Sequence, residues 1–448
     1  MAVLDGIDTI VVLMFENRSF DHLLGHLSLE DPRSEVDGLR NPDTNPRYAN
    51  VYEDMVYRPF VIHDEPAVIT HDPPHGRGYV ATQMARRGNK FRMSGFVKAY
   101  VEYSQHVTTL SPPMGYFDSS GAWMSSFLAR NFCVCDRWFT PLPADTQPNR
   151  LMAFTGHTLI EDTGDRLLPY REHLFDWMER RNIRWRVYCD GLPFFALFGR
   201  FPEVIGPKFR PIDKLDEDML REPAAEAPQV IFIEPRYFDY FWSDVPANCN
   251  HPLALLSNGE LYLHRIYSAL TLNPAKWART MFIVTYDEHG GFFDHVPPLP
   301  ISSPPPPGAQ YTEGFSTTGP RVPGLIATPW VRPGKVFHGH VDHTSILQLI
   351  AEKFGSGPED YSSFVNARRH QGIVSLAEAL DSQPAERPIP QRAAQPGSLL
   401  HAGKRPPKNP NERAFNAAAQ ELKQREGLAA ISKFPSLADL PPTPTPTP

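Results

Sequence analysis

The chain has 448 residues, of which 41% are hydrophobic and 21% charged, with a formal net charge of −7. That composition describes a soluble globular chain long enough for one large domain or two smaller ones. With a pI near 6.2 and no run of basic residues, nucleic acid is not an expected partner. Four cysteines are too few for a disulfide framework, and the Cys133-x-Cys135 pair lacks the second pair of a structural zinc site, so buried free thiols are expected.

The first apolar run, "DTIVVLMF" (8–15), reads as a buried parallel strand. Asp5 and Asp8 precede it instead of a basic segment, so neither a secretory signal nor a membrane span is readable. A cytoplasmic location is the default, with leaderless export as the alternative. Residues 30–120 are rich in Pro, His, Tyr and Asp without sustained periodicity, which predicts long excursions above a sheet. Next comes "WFTPLPADTQPNRLMAFTG" (138–156), where Pro148, tolerated in a first turn, and Gly156 bracket a helix with Thr146 at its N-terminus. "HLFDWMERRN" is helical and ends at Asn182, and "IRWRVY" (183–188) alternates as a strand nearer an edge. "VIFIEP" (230–235), "TMFIVTYD" (280–287) and "VPGLIATPW" (322–330) read as further buried parallel strands. Between them "GELYLHRIYSALTLNP" puts Leu263, Ile266, Tyr267 and Leu270 on one helical face before Pro274 stops it. "TSILQLIAEKFG" forms a last helix, with Ser345 and Gln348 spaced as a capping box, Ile346, Leu349 and Ile350 inward, and Gly355 at its end. Strands alternating with helices predict an α/β fold with a mainly parallel sheet covered on both faces. Two regions are expected: 1–382 as the catalytic domain and 383–448 as a Pro-rich tail. The tail holds one amphipathic helix (Phe415, Ala418, Leu422) and an extended, mobile "PPTPTPTP" end.

In parallel α/β sheets, ligands bind beyond the carboxyl ends of the strands. "IVVLMFENRSFD" delivers Glu16 and Asn17 at one such end, with Ser19 placed to cap the next helix. "MFIVTYDEHGGFFDH" delivers Asp287, Glu288 and His289 at another. One acid alone reads as a cap or a solvated turn, but three carboxylates converging from two apolar strands call for a divalent cation. Gly290 and Gly291 let the backbone turn closely past the site. Thr146 sits where orphan N–H groups favour a phosphate or a developing alkoxide, although a plain helix cap is an equal reading of its spacing. His71, His75, His251 and His343 complete the candidates. Asp294 and His295 read as structural, fastening the loop that follows.

Taken in order, "FENRSFDHLLG", "CDRWF", "DTQPNRLMAFTG", "YDEHGGFFDHVPP", "RVPGLIATPWV" and "VDHTSILQLI" resemble the bacterial phosphoesterase family of phosphatidylcholine-type phospholipases C and AcpA-type acid phosphatases. The resemblance covers roughly residues 5–355. It implies an alkaline-phosphatase-like α/β/α sandwich and metal-assisted phosphoryl transfer through a phosphothreonine. It further implies Glu16, Asp287, Glu288 and Thr146 as ligands of one divalent ion (Mg, Ca, Mn or Zn), with Thr146 as nucleophile. Asn17, His75 and His251 would contact the phosphoryl group, and His75 or His251 would serve as acid, with His71 a weaker match than His75. Many relatives carry an acid before the His-Pro dipeptide where this chain has Asn250. The implied substrate is a phosphate ester: a phospholipid head-group diester, with transient contact at a membrane surface, or a monoester in the acid phosphatase alternative. A non-catalytic protein that binds phosphorylated ligands is the reading from another class.

Overall fold

The strand at Thr9–Phe15 (β1), buried in all but its first residue, occupies the middle of an eight-stranded sheet in a computed structural model. The structure describes residues 3–395 and 405–441, apart from Arg171, Ala224, residues 239–241 and Ser243. The other strands are Cys133–Cys135 (β2), Trp185–Cys189 (β3), Phe209–Pro211 (β4), Val230–Glu234 (β5), Thr280–Tyr286 (β6), Gly324–Ala327 (β7) and Lys335–Phe337 (β8). Their order is β4-β3-β5-β1-β6-β7-β2-β8. β1 runs parallel to β5 and β6, with Leu13 opposite Ile233 and Val284. β3 lies one strand from the edge, as its alternation suggests.

One strand departs from expectation. The "VPGLIATPW" run supplies β7, which is antiparallel to both β6 and β2. A parallel return needs a crossover, usually helical. No helix lies between Tyr286 and Gly324, so the chain re-enters the sheet from the end where it left. Strands β2, β4 and β8 each have three residues, too few for a sequence period to register.

The helices that position the site are Phe20–Leu24 (α1), Arg77–Met84 (α2), Phe96–Ser104 (α3), Trp123–Asn131 (α4), Thr146–Thr155 (α5), Leu174–Glu179 (α6), Leu256–Thr271 (α7), Thr344–Phe354 (α8) and Pro410–Lys433 (α9). Phe232, in register with Val12, packs against Phe154 of α5 and Phe175 of α6, each with ring centroids 5.8 Å away. Phe15 is three residues from Val12 and so points to the opposite face, where it meets Tyr262 of α7 at 6.5 Å. Helices therefore cover both faces, and the molecule is an α/β/α sandwich.

In α7, Leu263, Ile266, Tyr267 and Leu270 are buried, as are Ile346, Leu349 and Ile350 of α8. The capping box expected at α8 is not formed. Thr344, not Ser345, opens the helix, and Asp342 accepts from the Thr344 backbone N–H at 2.8 Å and its hydroxyl at 2.6 Å. Gln348 instead donates to the Ile373 carbonyl at 3.1 Å. A carboxylate is a stronger acceptor than a hydroxyl, so Asp342, one residue before the N-cap His343, takes the first N–H of the helix. Ser19 does cap α1, accepting from the His22 N–H.

Residues 30–120 hold two short hairpins and helices α2 and α3. These enclose their own cluster of Leu39, Tyr48, Tyr57, Val80, Met84, Phe96 and Tyr100. In α9, Phe415, Ala418 and Leu422 are buried in the same core as the sheet. The "PPTPTPTP" end lies, after Pro441, outside the described residues. All four cysteines are buried. Among the described residues no helix is long and apolar enough to cross a membrane.

Candidate active site

β1 and β6 are neighbours in register, with Phe15 opposite Tyr286, so Glu16–Asn17 and Asp287–Glu288 leave the sheet side by side. Asn17 takes a left-handed conformation (φ 60°) and donates its N–H to Asp287 Oδ1 at 3.1 Å. The Arg18 N–H reaches the Glu288 carbonyl at 3.1 Å, stitching the two turns together. Gly290 makes this possible: φ is +65°, and a Cβ there would lie 2.0 Å from the Asn17 carbonyl oxygen.

Helix α5 brings the third contribution. Asp145 is its N-cap and Thr146 its first residue. One turn on, Arg150 donates from Nε to Asp287 Oδ2 at 3.0 Å and from Nη1 to the Tyr237 hydroxyl at 2.9 Å. Its Nη2 lies 3.5 Å from Glu16 Oε1. Tyr237 in turn donates to Glu234 Oε2 at 3.1 Å. Glu16, Glu234 and Asp287 are thus three buried acids around one buried guanidinium, and Glu288, also buried, follows Asp287. Burial, only partly opposed by Arg150 and reinforced by Asp287 and Glu234, raises the Glu16 pKa well above the carboxylate range. Burial does the same to Glu288 and lifts Glu234 to about 6. Both carboxylate oxygens of Glu16, Glu288 Oε1 and Asn17 Oδ1 are buried without a hydrogen-bond partner. Buried acceptors normally find donors. An oxygen-rich set left short of donors fits a hard divalent cation, so Glu16, Asp287 and Glu288, with Asn17 beside them, are residues that could hold one.

A cavity of about 220 Å³ opens beside this cluster, lined by Asp72, His75, Asp145, Thr146 and His251 among others. His75 donates from Nδ1 to the Pro73 carbonyl at 2.8 Å, and its Nε2 lies 3.2 Å from Asn17 Nδ2 and 3.9 Å from Glu288 Oε1. Burial disfavours the charged imidazole, yet the pull of Glu288, Asp72 and Asp145 outweighs it and raises its pKa to about 9. His251 donates from Nδ1 to the Pro252 carbonyl at 2.9 Å, and its Nε2 faces Asp72 Oδ2 at 3.7 Å. Asp145, pushed up by burial and by Asp162, has a pKa of about 6.

Among the described residues, two sets bring three ligand-type atoms within 4.8 Å of one another: Asp72–His75–His251 and Asp21–Asp294–His295. Glu16, Asp287 and Glu288 are not drawn together in this way, because like charges repel and Arg150 lies against two of them. The second set already holds its cation. Arg321 donates to both oxygens of Asp294, at 2.9 and 3.0 Å, and to Asp21 at 3.2 Å, while His295 Nδ1 donates to Asp21 at 2.6 Å. Asp294 and His295 sit in this fastening and line no part of the Thr146 cavity.

The remaining histidines act as supports. His343 Nε2 donates to the Asp287 carbonyl at 2.7 Å while Nδ1 accepts from Trp138 at 3.1 Å, which fixes the turn from behind. His289 donates to Gln83 at 2.8 Å. His71 pairs with His106, 4.3 Å between ring centroids, and does not line the cavity. Asn250 Nδ2 donates to the Tyr286 hydroxyl at 2.7 Å, where a carboxylate could not donate.

Sequence reasoning missed Arg150, Glu234, Asp72 and Asp145 as members of the site. Glu234 ends the apolar run "VIFIE" and falls under the strand-end rule that identified Glu16. Arg150 stands four residues after Thr146 and so shares its helical face. Asp72 had no local signal.

A model of the Phosphoesterase family matches residues 7–356. Among curated proteins, "Non-specific phospholipase C3" of Arabidopsis thaliana is 33% identical over 78% of this chain and 69% of its own length. "Non-specific phospholipase C1" of the same plant is 30% identical over 78% and 67%. "Hemolytic phospholipase C" of Pseudomonas aeruginosa is 27% identical over 81% and 55%.

Proposed function

The chain belongs to the Phosphoesterase family and is a phosphoester hydrolase, and from that premise we propose that it cleaves the head-group phosphodiester of a phospholipid, as a phospholipase C, through a phosphothreonine at Thr146. The observation that carries this reading is the placement of Thr146. It opens α5 in a cavity shared with His75 and His251, on the helix whose Arg150 binds Asp287. Relatives named phospholipase C at about 30% identity favour a diester over a monoester.

A divalent cation held by Glu16, Asp287 and Glu288 would lower the pKa of the Thr146 hydroxyl and neutralise a non-bridging phosphoryl oxygen. The chain's own groups do the rest. Thr146 Oγ attacks phosphorus, its proton passing to water in the cavity, and the bond to the glycerol oxygen breaks. His251 gives its Nε2 proton to that oxygen. A water then attacks phosphorus and returns a proton to His251; the bond to Thr146 Oγ breaks, Oγ regains its proton from the cavity water, and the phosphorylated head group leaves. His75, charged through its acidic neighbours, donates from Nε2 to a phosphoryl oxygen, and the Asn17 amide nitrogen, 3.2 Å from it, is a second donor to that group.

Thr146→Ala is expected to abolish turnover of phosphatidylcholine vesicles with the fold intact by circular dichroism. Acid quenching of the wild type during turnover should leave one phosphocholine group, joined through phosphorus, on the peptide containing Thr146. Near-normal turnover by the variant would sink the nucleophile assignment. Faster release of phosphate from p-nitrophenyl phosphate than of diacylglycerol from phosphatidylcholine would move the substrate to the monoester class.

A further inference from the structure

The cavity around Thr146 is not completed by the segment that matches the family. Asn409, Pro410 and Asn411 form part of its wall, beyond residue 356 where the match ends. They open helix α9, which packs back on the domain through Phe415. That ring lies 5.0 Å from Tyr237, the partner of Arg150, and 5.1 Å from Phe238, which itself lies 5.6 Å from His251. The first turn is held firmly. Asn409 Oδ1 accepts from the Glu412 N–H at 2.9 Å, and Glu412 accepts from the Asn409 N–H at 3.3 Å. Arg405 clamps both Glu412 oxygens at 2.6 and 2.9 Å. Such a capping box with an added arginine fixes the positions of the two residues between its members, Pro410 and Asn411.

The second of these, Asn411, is 5% exposed. Its amide orientation is determined by its neighbour Gln147. Gln147 Oε1 accepts from the Gly164 N–H at 3.0 Å, which leaves Gln147 Nε2 as the donor to Asn411 Oδ1 at 3.4 Å. Asn411 must therefore present its oxygen to Gln147, and its Nδ2 is buried with no partner. A buried amide donor left unpaired is costly. Here it stands in the wall of a cavity beside Gln147, the residue that follows Thr146.

We propose that Asn411 is a substrate-binding residue supplied by the C-terminal helix, its Nδ2 donating a hydrogen bond to an oxygen of the phosphate group held at Thr146. This rests on the reading of that cavity as the phosphoryl site. It makes α9 part of the active site and gives the enzyme a phosphate contact outside the family-matched segment.

The test uses the full-length protein and inorganic phosphate as probe, read both as a competitive inhibitor and by direct calorimetric binding. Asn411→Ala is expected to weaken phosphate binding roughly tenfold, the effect of one hydrogen bond to a charged acceptor. Asn411→Asp keeps the shape and the acceptor for Gln147 but replaces the donor by a charge, and should weaken binding further. Neither variant should lower the melting temperature in phosphate-free buffer in proportion to its loss of phosphate affinity. Wild-type phosphate affinity in a folded Asn411→Asp variant would overturn the proposal, and so would a loss matched by equal destabilisation without phosphate. Calorimetry in a Thr146→Ala background separates the two readings: the Asn411 effect must persist there even if Thr146 is not the nucleophile.

Discussion

Replacing Arg150 by Met tests whether one guanidinium holds the acidic cluster together. Arg150 is fully buried, ion-paired to Asp287 and Glu16, and bonded to Tyr237 and to the carbonyls of Met14 and Phe15 at 3.4 and 3.3 Å. Met fills similar volume without charge, so the loss is electrostatic. Removing one partner of a buried ion pair costs about 3–5 kcal/mol, because the other charge stays buried. Unfolding entropy of about 2.1 cal/mol/K per residue means that a chain of this size shifts by about 1 °C per kcal/mol, so the melting temperature should fall by about 3–5 °C. Differential scanning calorimetry measures that shift, and urea denaturation measures the free energy. Asp287→Asn in the same background should recover part of the loss, since the stranded charge is then removed. A shift below about 1 °C, or full additivity of the two substitutions, would refute the view that Arg150 balances these carboxylates.

Glu260 offers a pH test away from the site. It is buried on α7, accepts from the Met124 and Ser125 N–H groups and the Ser125 hydroxyl, and burial lifts its pKa from 4.5 to about 7. The unfolded chain then loses its proton first, so this group's contribution falls as pH rises from about 4.5 to about 7, by about 3 kcal/mol in all. Glu260→Gln should gain on the wild type by that amount across the window in urea melts, and a pH-independent difference would count against it. Gly290→Ala places a methyl 2.0 Å from the Asn17 carbonyl at φ +65°. Beyond about 1–2 kcal/mol of left-handed strain, it should displace Asn17 and cut kcat at least tenfold at temperatures where the variant remains folded; wild-type kcat would contradict the close-approach argument.

The central strands were legible because each is a continuous apolar run. Their direction was not wholly legible, since β7 has the same composition as its parallel neighbours and only the missing crossover helix reverses it. The strand-end rule located Glu16 and Asp287 because those acids follow their strands directly. It could not find Asp72, whose position depends on how a long excursion folds over the sheet. Asn411 lay further out of reach. Its helix was visible in the spacing of Phe415, Ala418 and Leu422, but where an amphipathic helix docks depends on the surface it meets. Arg150 was in view four residues after Thr146, but its spacing says only that the two share a helical face, not that this face meets the acids at the ends of β1 and β6.

The central place of β1 bears on how the chain is made. Its two neighbours in the sheet are β5 and β6, and Tyr286 follows Phe15 by 271 residues (286 − 15). At roughly 5–20 residues per second of synthesis, "IVVLMF" waits roughly 15–50 s on the ribosome before both its edges can be covered. An uncharged, β-prone apolar hexamer left open that long is an aggregation hazard. A strand at the centre of the finished sheet is thus the one whose edges stay open longest while the protein is made.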